Sequence, residues 1–338
     1  MTKSRRTAST SPAERITAAI IEKLEQGTKP WVKPWRGVPV SRPLRSCGTP
    51  YRGMNTFWLW MVADGCGFAS PYWMTYRQCQ KLGGQVRKGE KSTIAIFYKS
   101  YTKEVENAKG EADTENRRVL KAYAVFNADQ CDGLPAFYHP KPLVAAFEPE
   151  GREDRLDAFF AHIGADLRHH GAQAYYEPLR DRVTMPPTEL FEAYDHYYAT
   201  LAHELSHWTG HSSRLDRDLK NRFGSDAYAA EELIAELSSA ILGAELGLPV
   251  AHLDNHASYI ASWLKILKSD ERAILTAAAK AEEAASLLLD LVERGQGQAG
   301  TAGKPSRSPS PGSRRRQATA RRRRCRYGLR STRLSSAD

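Results

Sequence analysis

Residues 197–211 read YYATLAHELSHWTGH and contain the pattern H-E-x-x-H at His203, Glu204 and His207. On a helix, residues four apart lie one above the other on the same face, so the two imidazoles can point at one metal ion. Glu204 is then placed to act as a general base on a water in that site. Gly210 is a typical helix-ending residue and follows shortly after. The stretch therefore predicts a helix that carries a zinc site of the metallopeptidase type.

A catalytic zinc site of this type needs a third protein ligand. His211 is the nearest candidate in the sequence, but Gly210 is expected to end the helix before it. The metzincin spacing would place a histidine six residues after His207, and Ser213 stands there instead. The sequence therefore does not favour the metzincin subclass.

The third ligand is expected in residues 228–246, a second helical stretch with an apolar stripe. Glu232 and Glu236 fall on one flank of that stripe, one turn apart, whereas Glu231 falls nearly opposite it, towards solvent. Because carboxylates at a buried face need a cation, the pair fits one metal ligand and one residue that orients a histidine N–H. Glu232 is assigned as the ligand and Glu236 as the supporting residue, and the reverse assignment stays open.

Length and composition limit the classes of protein to consider. The chain has 338 residues, of which 41% are hydrophobic, so it can form two domains and a tail. No run reaches the roughly 18–20 apolar residues of a transmembrane helix, and no apolar segment of a secretory signal follows the N-terminus. The five cysteines are dispersed without a CxxC pair, which favours a reducing, cytoplasmic location without membrane association.

Charge divides the chain into three parts. Residues 1–140 hold 22 Lys and Arg against 12 Asp and Glu, residues 141–294 hold 15 against 26, and residues 295–338 hold 12 against 1. We predict a small α+β domain in 1–140, a mainly helical zincin-like metallopeptidase domain in 141–294, and a disordered basic tail in 295–338. The basic first part suggests a polyanionic partner. For the tail, nucleic-acid contact and mere solubilisation both stay open.

Local signals place the main elements of the first domain. Ser11 and Glu14 predict the capped start of a helix that continues to residue 26. Residues 93–99 and 118–126 have the composition of two paired strands, and the polar residues 102–117 are expected to form the loop between them.

The second domain is expected to begin with an amphipathic helix over residues 152–170. Residues 182–185 read as a short strand that could supply the edge of a sheet beside the active-site helix. Two further helices are expected in residues 256–267 and 270–291.

Aromatic and basic side chains are mixed throughout the first domain. Rings stack on bases of any sequence and cations contact phosphates, so the mixture predicts binding of single-stranded DNA. For the proline-rich segment, the alternative is that the rings of Trp31 and Trp35 fill the domain core. The candidate DNA contacts are Trp31, Trp35, Arg36, Tyr51, Arg52, Asn55, Trp58, Trp73, Tyr76, Arg77, Arg87, Lys88 and Lys91.

Six segments, in order, resemble the ArdC-type antirestriction proteins of conjugative plasmids, which are related to primase-like TraC proteins and to zincin-like domains of polyvalent phage proteins. The segments are PWVKPWRG, PYRGMNTFWLW, SPYWMTYRQCQKLGGQVRKGEKST, AVFNADQCDGLP, YYATLAHELSHWTGHSSRLDR and YAAEELIAEL.

The resemblance runs from about residue 12 to residue 291. It implies an N-terminal domain that binds single-stranded DNA, a zincin-like metallopeptidase domain, and protection of incoming DNA from restriction. His203 and His207 are implied as zinc ligands and Glu204 as the base, and a protein of the host restriction system is the implied candidate for a peptidase substrate.

Three functions can be compared at this point. The favoured one is an antirestriction protein that binds single-stranded DNA and carries a zinc-dependent peptidase domain. The alternative is a DNA-binding module whose zinc is structural and not catalytic. A primase or nuclease is disfavoured, because the basic domain lacks the acidic cluster that would hold Mg²⁺ near DNA.

Overall fold

The computed structural model describes residues 10–31, 41–106, 112–140, 151–219, 225–248 and 257–299. The helices are α1 Pro12–Glu25, α2 Met54–Cys66, α3 Tyr76–Lys81, α4 Arg152–Ala161, α5 Tyr194–Trp208, α6 Asp226–Leu246, α7 Ala257–Ser269 and α8 Ala273–Ala299. The strands are β1 Leu44–Arg45, β2 Tyr72–Met74, β3 Gln85–Val86, β4 Thr93–Glu106, β5 Ala112–Asn127, β6 Cys131–Asp132, β7 Asp166–His169, β8 Tyr175–Glu177 and β9 Arg182–Met185. The α+β class, with a small N-terminal part and a mainly helical C-terminal part, is confirmed.

The first helix begins where its capping residues predict. Ser11 is the N-cap of α1, its hydroxyl accepts a hydrogen bond from the amide of Glu14, and Pro12 stands in the first turn. The buried side of α1 includes Ile16, Ile20 and Leu24. Their spacing of four gives one apolar face, which packs against α7.

The N-terminal sheet has the order β1-β2-β5-β4, and its long antiparallel hairpin is formed by β4 and β5. The expectation of a loop over residues 102–117 was wrong for most of that segment, since Thr102 pairs with Asn116 and Lys103 with Glu115. Polar composition did not end the strands, because a hairpin ladder depends on pairing of backbone groups and not on side-chain hydrophobicity.

The second sheet has the order β7-β9-β8, with β7 parallel and β8 antiparallel to β9. The strand β9 was expected at an edge but lies in the centre, and β8 forms the edge beside the site described below. The helix expected over residues 152–170 is split into α4 and β7. Gly164, at φ +75°, lies between them in a backbone conformation that favours glycine.

The helix α6 is at the centre of the C-terminal part, where α5, α7 and α8 pack around it. Every residue from Glu231 to Gly243 is buried. A helix buried on all sides has no solvent face, so a wheel argument that assigns one to it will misplace side chains.

The main hydrophobic core contains residues from both sides of residue 140, the expected boundary between the two domains. Ile16 and Trp31 belong to the same buried cluster as Leu233, Trp263 and other residues of α5–α8. The rings of Trp31 and Trp263 meet edge to face, 5.6 Å apart between centroids. The α1 segment therefore packs as part of the C-terminal helical body.

The C-terminal helix is longer than expected. Gly295, the first residue of the expected tail, lies inside α8, which continues to Ala299. The rest of the expected tail, 300–338, lies outside the described residues. Among the described residues, no helix combines the length and apolar composition needed to cross a bilayer.

Candidate functional site

Two imidazoles and one carboxylate meet where α5 packs on α6. The Nε2 atoms of His203 and His207 lie 3.2 Å apart. Glu232 on α6 places one carboxylate oxygen 3.5 Å from His203 Nε2 and the other 3.5 Å from His207 Nε2. In the described part of the chain, this is the group of histidine and acidic side chains whose donor atoms could hold one metal ion.

The spacing of these donors fits a tetrahedral metal. Ligand atoms about 2.0–2.1 Å from a tetrahedral ion lie about 3.3–3.4 Å from one another. The observed separations of 3.2, 3.5 and 3.5 Å are close to that value. Two imidazole nitrogens and a carboxylate oxygen are also donors that zinc accepts in catalytic sites.

Glu204 lies directly after His203 in α5, and its side chain is buried. The backbone of Tyr176, in the edge strand β8, hydrogen-bonds its carboxylate. Burial raises the pKa of Glu204 above its usual value, although the two histidines act in the opposite direction. A carboxylate in this position takes up a proton more readily than an exposed glutamate does.

Glu231 is buried, and its expected solvent position was wrong. One of its oxygens lies 3.3 Å from His207 Nδ1 and 2.8 Å from an Nη atom of Arg217. The wheel argument failed because α6 has neighbours on every side, so the face opposite the apolar stripe meets α5 and the segment after it. Glu231 therefore supports His207, the role that was expected for Glu236.

Arg217 holds this arrangement together from the segment that follows α5. Its guanidinium donates to the backbone oxygen of Ser206 at 2.6 Å and to the hydroxyl of Thr209 at 2.9 Å, besides Glu231. Gly210 makes room for it, since a Cβ there would lie 2.9 Å from Arg217 Nη2. Gly210 thus serves close packing around the site, and α5 has already ended at Trp208.

Glu236 is fully buried and forms an ion pair with Lys29, at 3.1 Å between Oε1 and Nζ. The partner comes from the loop after α1, more than 200 residues away in the sequence. The pKa of Glu236 is raised by burial, with Lys29 acting against that shift.

The electrostatics of the site favour a cation among the histidines. Burial alone would lower the pKa of His207, but hydrogen bonds to Glu231 and Glu232 outweigh it and raise the pKa to about 10. Burial likewise opposes ionisation of Glu232, yet His203 and His207 hold its pKa well below the usual value. Positive charge between these groups is therefore stabilised before any ion is considered.

Three of the aromatic residues expected to stack on DNA are in the core instead. Trp31 and Trp73 are each 1% exposed and Tyr51 is 2% exposed. A ring without an exposed face cannot stack on a base, so these three assignments were wrong for this conformation. The alternative that the rings of the proline-rich segment fill the core is correct for Trp31.

Two other candidates hold the sheet in place. Asn55 donates from its amide nitrogen to the backbone oxygen of Ile96 and accepts from the backbone amide of Ile96, both at 2.8 Å. Trp58 donates from Nε1 to the backbone oxygen of Ile94 at 2.9 Å. Both residues thereby fix β4 on α2. Trp35 and Arg36 lie outside the described residues.

The exposed candidates are Arg52, Tyr76, Arg77, Arg87, Lys88 and Lys91. Arg52 lies 3.6 Å from Glu282 on α8. Arg87 is engaged by Glu90 at 2.7 Å, so part of its charge is already neutralised.

Three of these exposed residues line an open groove of about 600 Å³ in the N-terminal part. Tyr76 is 42% exposed and packs edge to face on Phe126. Gln85 donates from its amide to the Tyr76 hydroxyl at 2.9 Å, which fixes the ring. The lining residues are Tyr76, Gln85, Val86, Arg87, Lys88, Glu90, Phe126 and Asp132.

Sequence reasoning missed several residues that the structure brings to these two places. Lys29 gives no local signal, because its partner Glu236 is 207 residues away. Arg217 joins α5 to α6 from an irregular segment, to which no helical or strand periodicity applies. Glu231 could have been found from its neighbours Ala229 and Leu233, since an apolar surround on both sides indicates a fully buried helix.

Comparison with known proteins gives the class. Residues 10–126 match the family described as the N-terminal domain of anti-restriction factor ArdC, and residues 154–280 match the family described as zincin-like metallopeptidase. The chain is therefore a two-part protein with an ArdC-type N-terminal part and a zincin-like C-terminal part, as the resemblance implied.

Individual relatives narrow this class. The chain is 43% identical over 279 residues to the uncharacterized protein y4eC of Sinorhizobium fredii, covering 80% of this chain and 89% of that protein. It is 42% identical over 296 residues to DNA primase TraC of Escherichia coli, but the match covers 82% of this chain and 27% of TraC.

Two crystal structures of the antirestriction protein ArdC from plasmid R388 are similar to this fold. The metal-free structure has a TM-score of 0.71 at 46% identity, covering 84% of this chain and 98% of that one. The Mn(II)-bound structure has a TM-score of 0.68 at 45% identity, covering 83% and 98%. The chain belongs to the ArdC-type antirestriction family.

Proposed function

We propose that this protein protects incoming DNA of a mobile element from restriction, that its N-terminal part binds single-stranded DNA, and that His203, His207 and Glu232 bind zinc. The observation that carries the metal assignment is the triangle of donor atoms between α5 and α6, whose edges fit a tetrahedral ion. A related ArdC structure with Mn(II) supports a divalent metal. The preference for zinc rests on the donor set, since two imidazoles and one carboxylate leave an open fourth position.

The chemistry that fits the centre is hydrolysis of a peptide bond. A bound zinc ion supplies Lewis-acid chemistry to the site. Glu204 takes a proton from the attacking water and hands it to the leaving amine. Its burial and raised pKa suit both tasks.

Single-stranded DNA fits the groove at Tyr76 better than a duplex does. The groove offers an exposed ring for stacking, the polar amide of Gln85, and the cation Lys88 at its border. Bases of a single strand are free to stack on such a ring, whereas bases in a duplex are not. The net positive charge of residues 1–140 favours binding of any polyanion. It therefore supports DNA binding but does not discriminate between single-stranded and duplex DNA.

The metal assignment is tested on the full chain by metal analysis after purification. About one zinc per chain is expected, and His203→Ala and His207→Ala each remove it. His211→Ala is the matched control, because this histidine lies past the end of α5, where its Nδ1 contacts the Ser213 hydroxyl. Full zinc occupancy in both of the first two variants would place the metal elsewhere.

The same preparations show whether the zinc has a catalytic or a structural role. Glu204→Gln keeps the metal and keeps the affinity for a single-stranded oligonucleotide, measured by fluorescence anisotropy. The reason is that the Glu204 carboxylate is neither a proposed metal ligand nor part of the groove at Tyr76. With casein or a fluorogenic peptide mixture as the probe, hydrolysis by the wild type that is lost in Glu204→Gln indicates a peptidase. Absence of turnover in the zinc-loaded wild type favours the alternative of a DNA-binding module with a structural metal.

A further inference from the structure

Lys29 brings a positive charge from the N-terminal part into the interior of the C-terminal part. Its ammonium lies 3.1 Å from Glu236 Oε1, where the Glu236 side chain is fully buried and that of Lys29 is 14% exposed. A buried carboxylate is costly unless a cation compensates it, and removal of one partner leaves the other charge uncompensated. The ion pair between Lys29 and Glu236 therefore restrains the loop after α1 relative to α6.

Glu236 lies one helical turn after Glu232 on α6, so the two carboxylates share a face. It also interacts electrostatically with His203 and with Glu232. The three acids of this helix have different cationic partners. Arg217 compensates Glu231, the imidazoles face Glu232, and Lys29 compensates Glu236.

The position of Lys29 is fixed on both sides along the chain. Before it, Thr17 on α1 donates from its hydroxyl to the backbone oxygen of Glu271 at 2.6 Å. After it, Trp31 is buried against Trp263 of α7. The backbone at Lys29 is thereby anchored to the helical body, which reduces the entropy that a long side chain loses when it forms an ion pair.

We propose that Lys29 is a positioning residue of the metal centre, acting through Glu236 on the turn of α6 that carries Glu232. The inference rests on the proposed metal binding. It means that the segment matching the ArdC N-terminal family completes the metal site of the zincin-like segment. The two parts therefore cooperate in metal binding, although their sequences match separate families.

The test measures the zinc affinity of the full chain by competition with a chromophoric chelator. Lys29→Met lowers the affinity by about 10–100-fold, the range found when groups that support metal ligands are removed. Lys29→Arg retains most of the affinity because the positive charge stays. Lys268→Met is the matched control, since Lys268 also joins the α1 segment to the helical body, through Glu25 at 2.6 Å, but in an exposed ion pair without a contact to α6.

A double-mutant cycle identifies the route of the effect. If Lys29 acts through Glu236, Lys29→Met adds little in a Glu236→Gln background, since no buried anion is left to compensate. This comparison also replaces the single variant if Lys29→Met does not fold. Wild-type affinity in Lys29→Met, or full additivity in the cycle, overturns the inference. Failure of the proposed metal binding is distinct, because the wild type itself then takes up no zinc.

Discussion

The metal centre and the basic N-terminal surface differ in how their residues are used. At the proposed metal centre, His203 and His207 come together as their spacing indicates, and Glu232 joins them from α6 as its position on the helix wheel indicates. In the N-terminal part, Trp31 and Trp73 were candidates for DNA contact but lie in the core. Spacing along a helix fixes relative geometry, whereas a mixture of rings and cations is a composition that a hydrophobic core also uses.

The difference extends to how each region is supported. The three acids of α6 at this site each face a basic side chain, so the site is rigidly positioned and its variants should have large effects. The groove at Tyr76 is open, and its Lys88 is exposed. Contributions to DNA binding there should be smaller and more nearly independent.

The largest effect is expected for Glu232→Gln, which should lower the zinc affinity by more than about 100-fold, beyond the range for supporting groups. The reason is that both carboxylate oxygens face the histidine nitrogens. Chelator competition measures the affinity. If Glu232→Gln binds zinc as the wild type does and only Glu236→Gln loses it, the two roles are reversed.

The next largest effect is expected for Glu231→Gln, with a loss of zinc affinity of about 10–100-fold. The variant keeps the shape but removes the anion between His207 and Arg217. A denaturation curve of the same protein shows whether the fold is retained. Unchanged affinity in a folded variant would show that Glu231 does not support His207 in metal binding.

For the groove, Tyr76→Ala should weaken binding of single-stranded DNA by about 1–3 kcal/mol, because a stacked base loses its platform. Tyr76→Phe should keep most of the affinity. Phe97→Ala is the matched control, since this ring on β4 is also 42% exposed but is not among the groove-lining residues. Equal losses for Tyr76→Ala and Phe97→Ala would show that the groove has no special role.

The smallest effect is expected for Lys88→Ala, which should reduce the salt dependence of single-strand binding by about 0.7 in the slope of log K against log salt. The reason is the loss of one phosphate contact at the groove. Anisotropy titrations at four or five salt concentrations give the slope. Lys265→Ala should leave it unchanged, because Lys265 pairs with Asp226 in the C-terminal part. An unaltered slope in Lys88→Ala would remove this residue from the DNA path.

Sequence reasoning reached the features that depend on local geometry. The capping of α1 by Ser11 and the pairing of β4 with β5 are of this kind. The geometry of the histidine pair is another such feature, because side chains four residues apart on a helix lie on the same face.

Features that depend on what surrounds an element could not be derived in this way. The wheel placed Glu231 in solvent because it assumed one buried face, and α6 turned out to be enclosed on all sides. Lys29 reaches the site through a contact distant in the sequence, for which a single chain carries no pattern. The burial of Trp31 likewise follows from α7, which lies more than 200 residues later.

The packing of α1 has a consequence for biosynthesis. Thr17 and its partner Glu271 are 254 residues apart. At roughly 5–20 residues per second, translation takes about 13–50 s to produce the second of these residues after the first. During that time α1 has left the ribosome with its apolar face exposed, and α7, on which it packs, has not been made. Although α1 precedes the other described helices, it is thus among the last of them to be buried, and its apolar face stays exposed in the nascent chain until α7 has been synthesised.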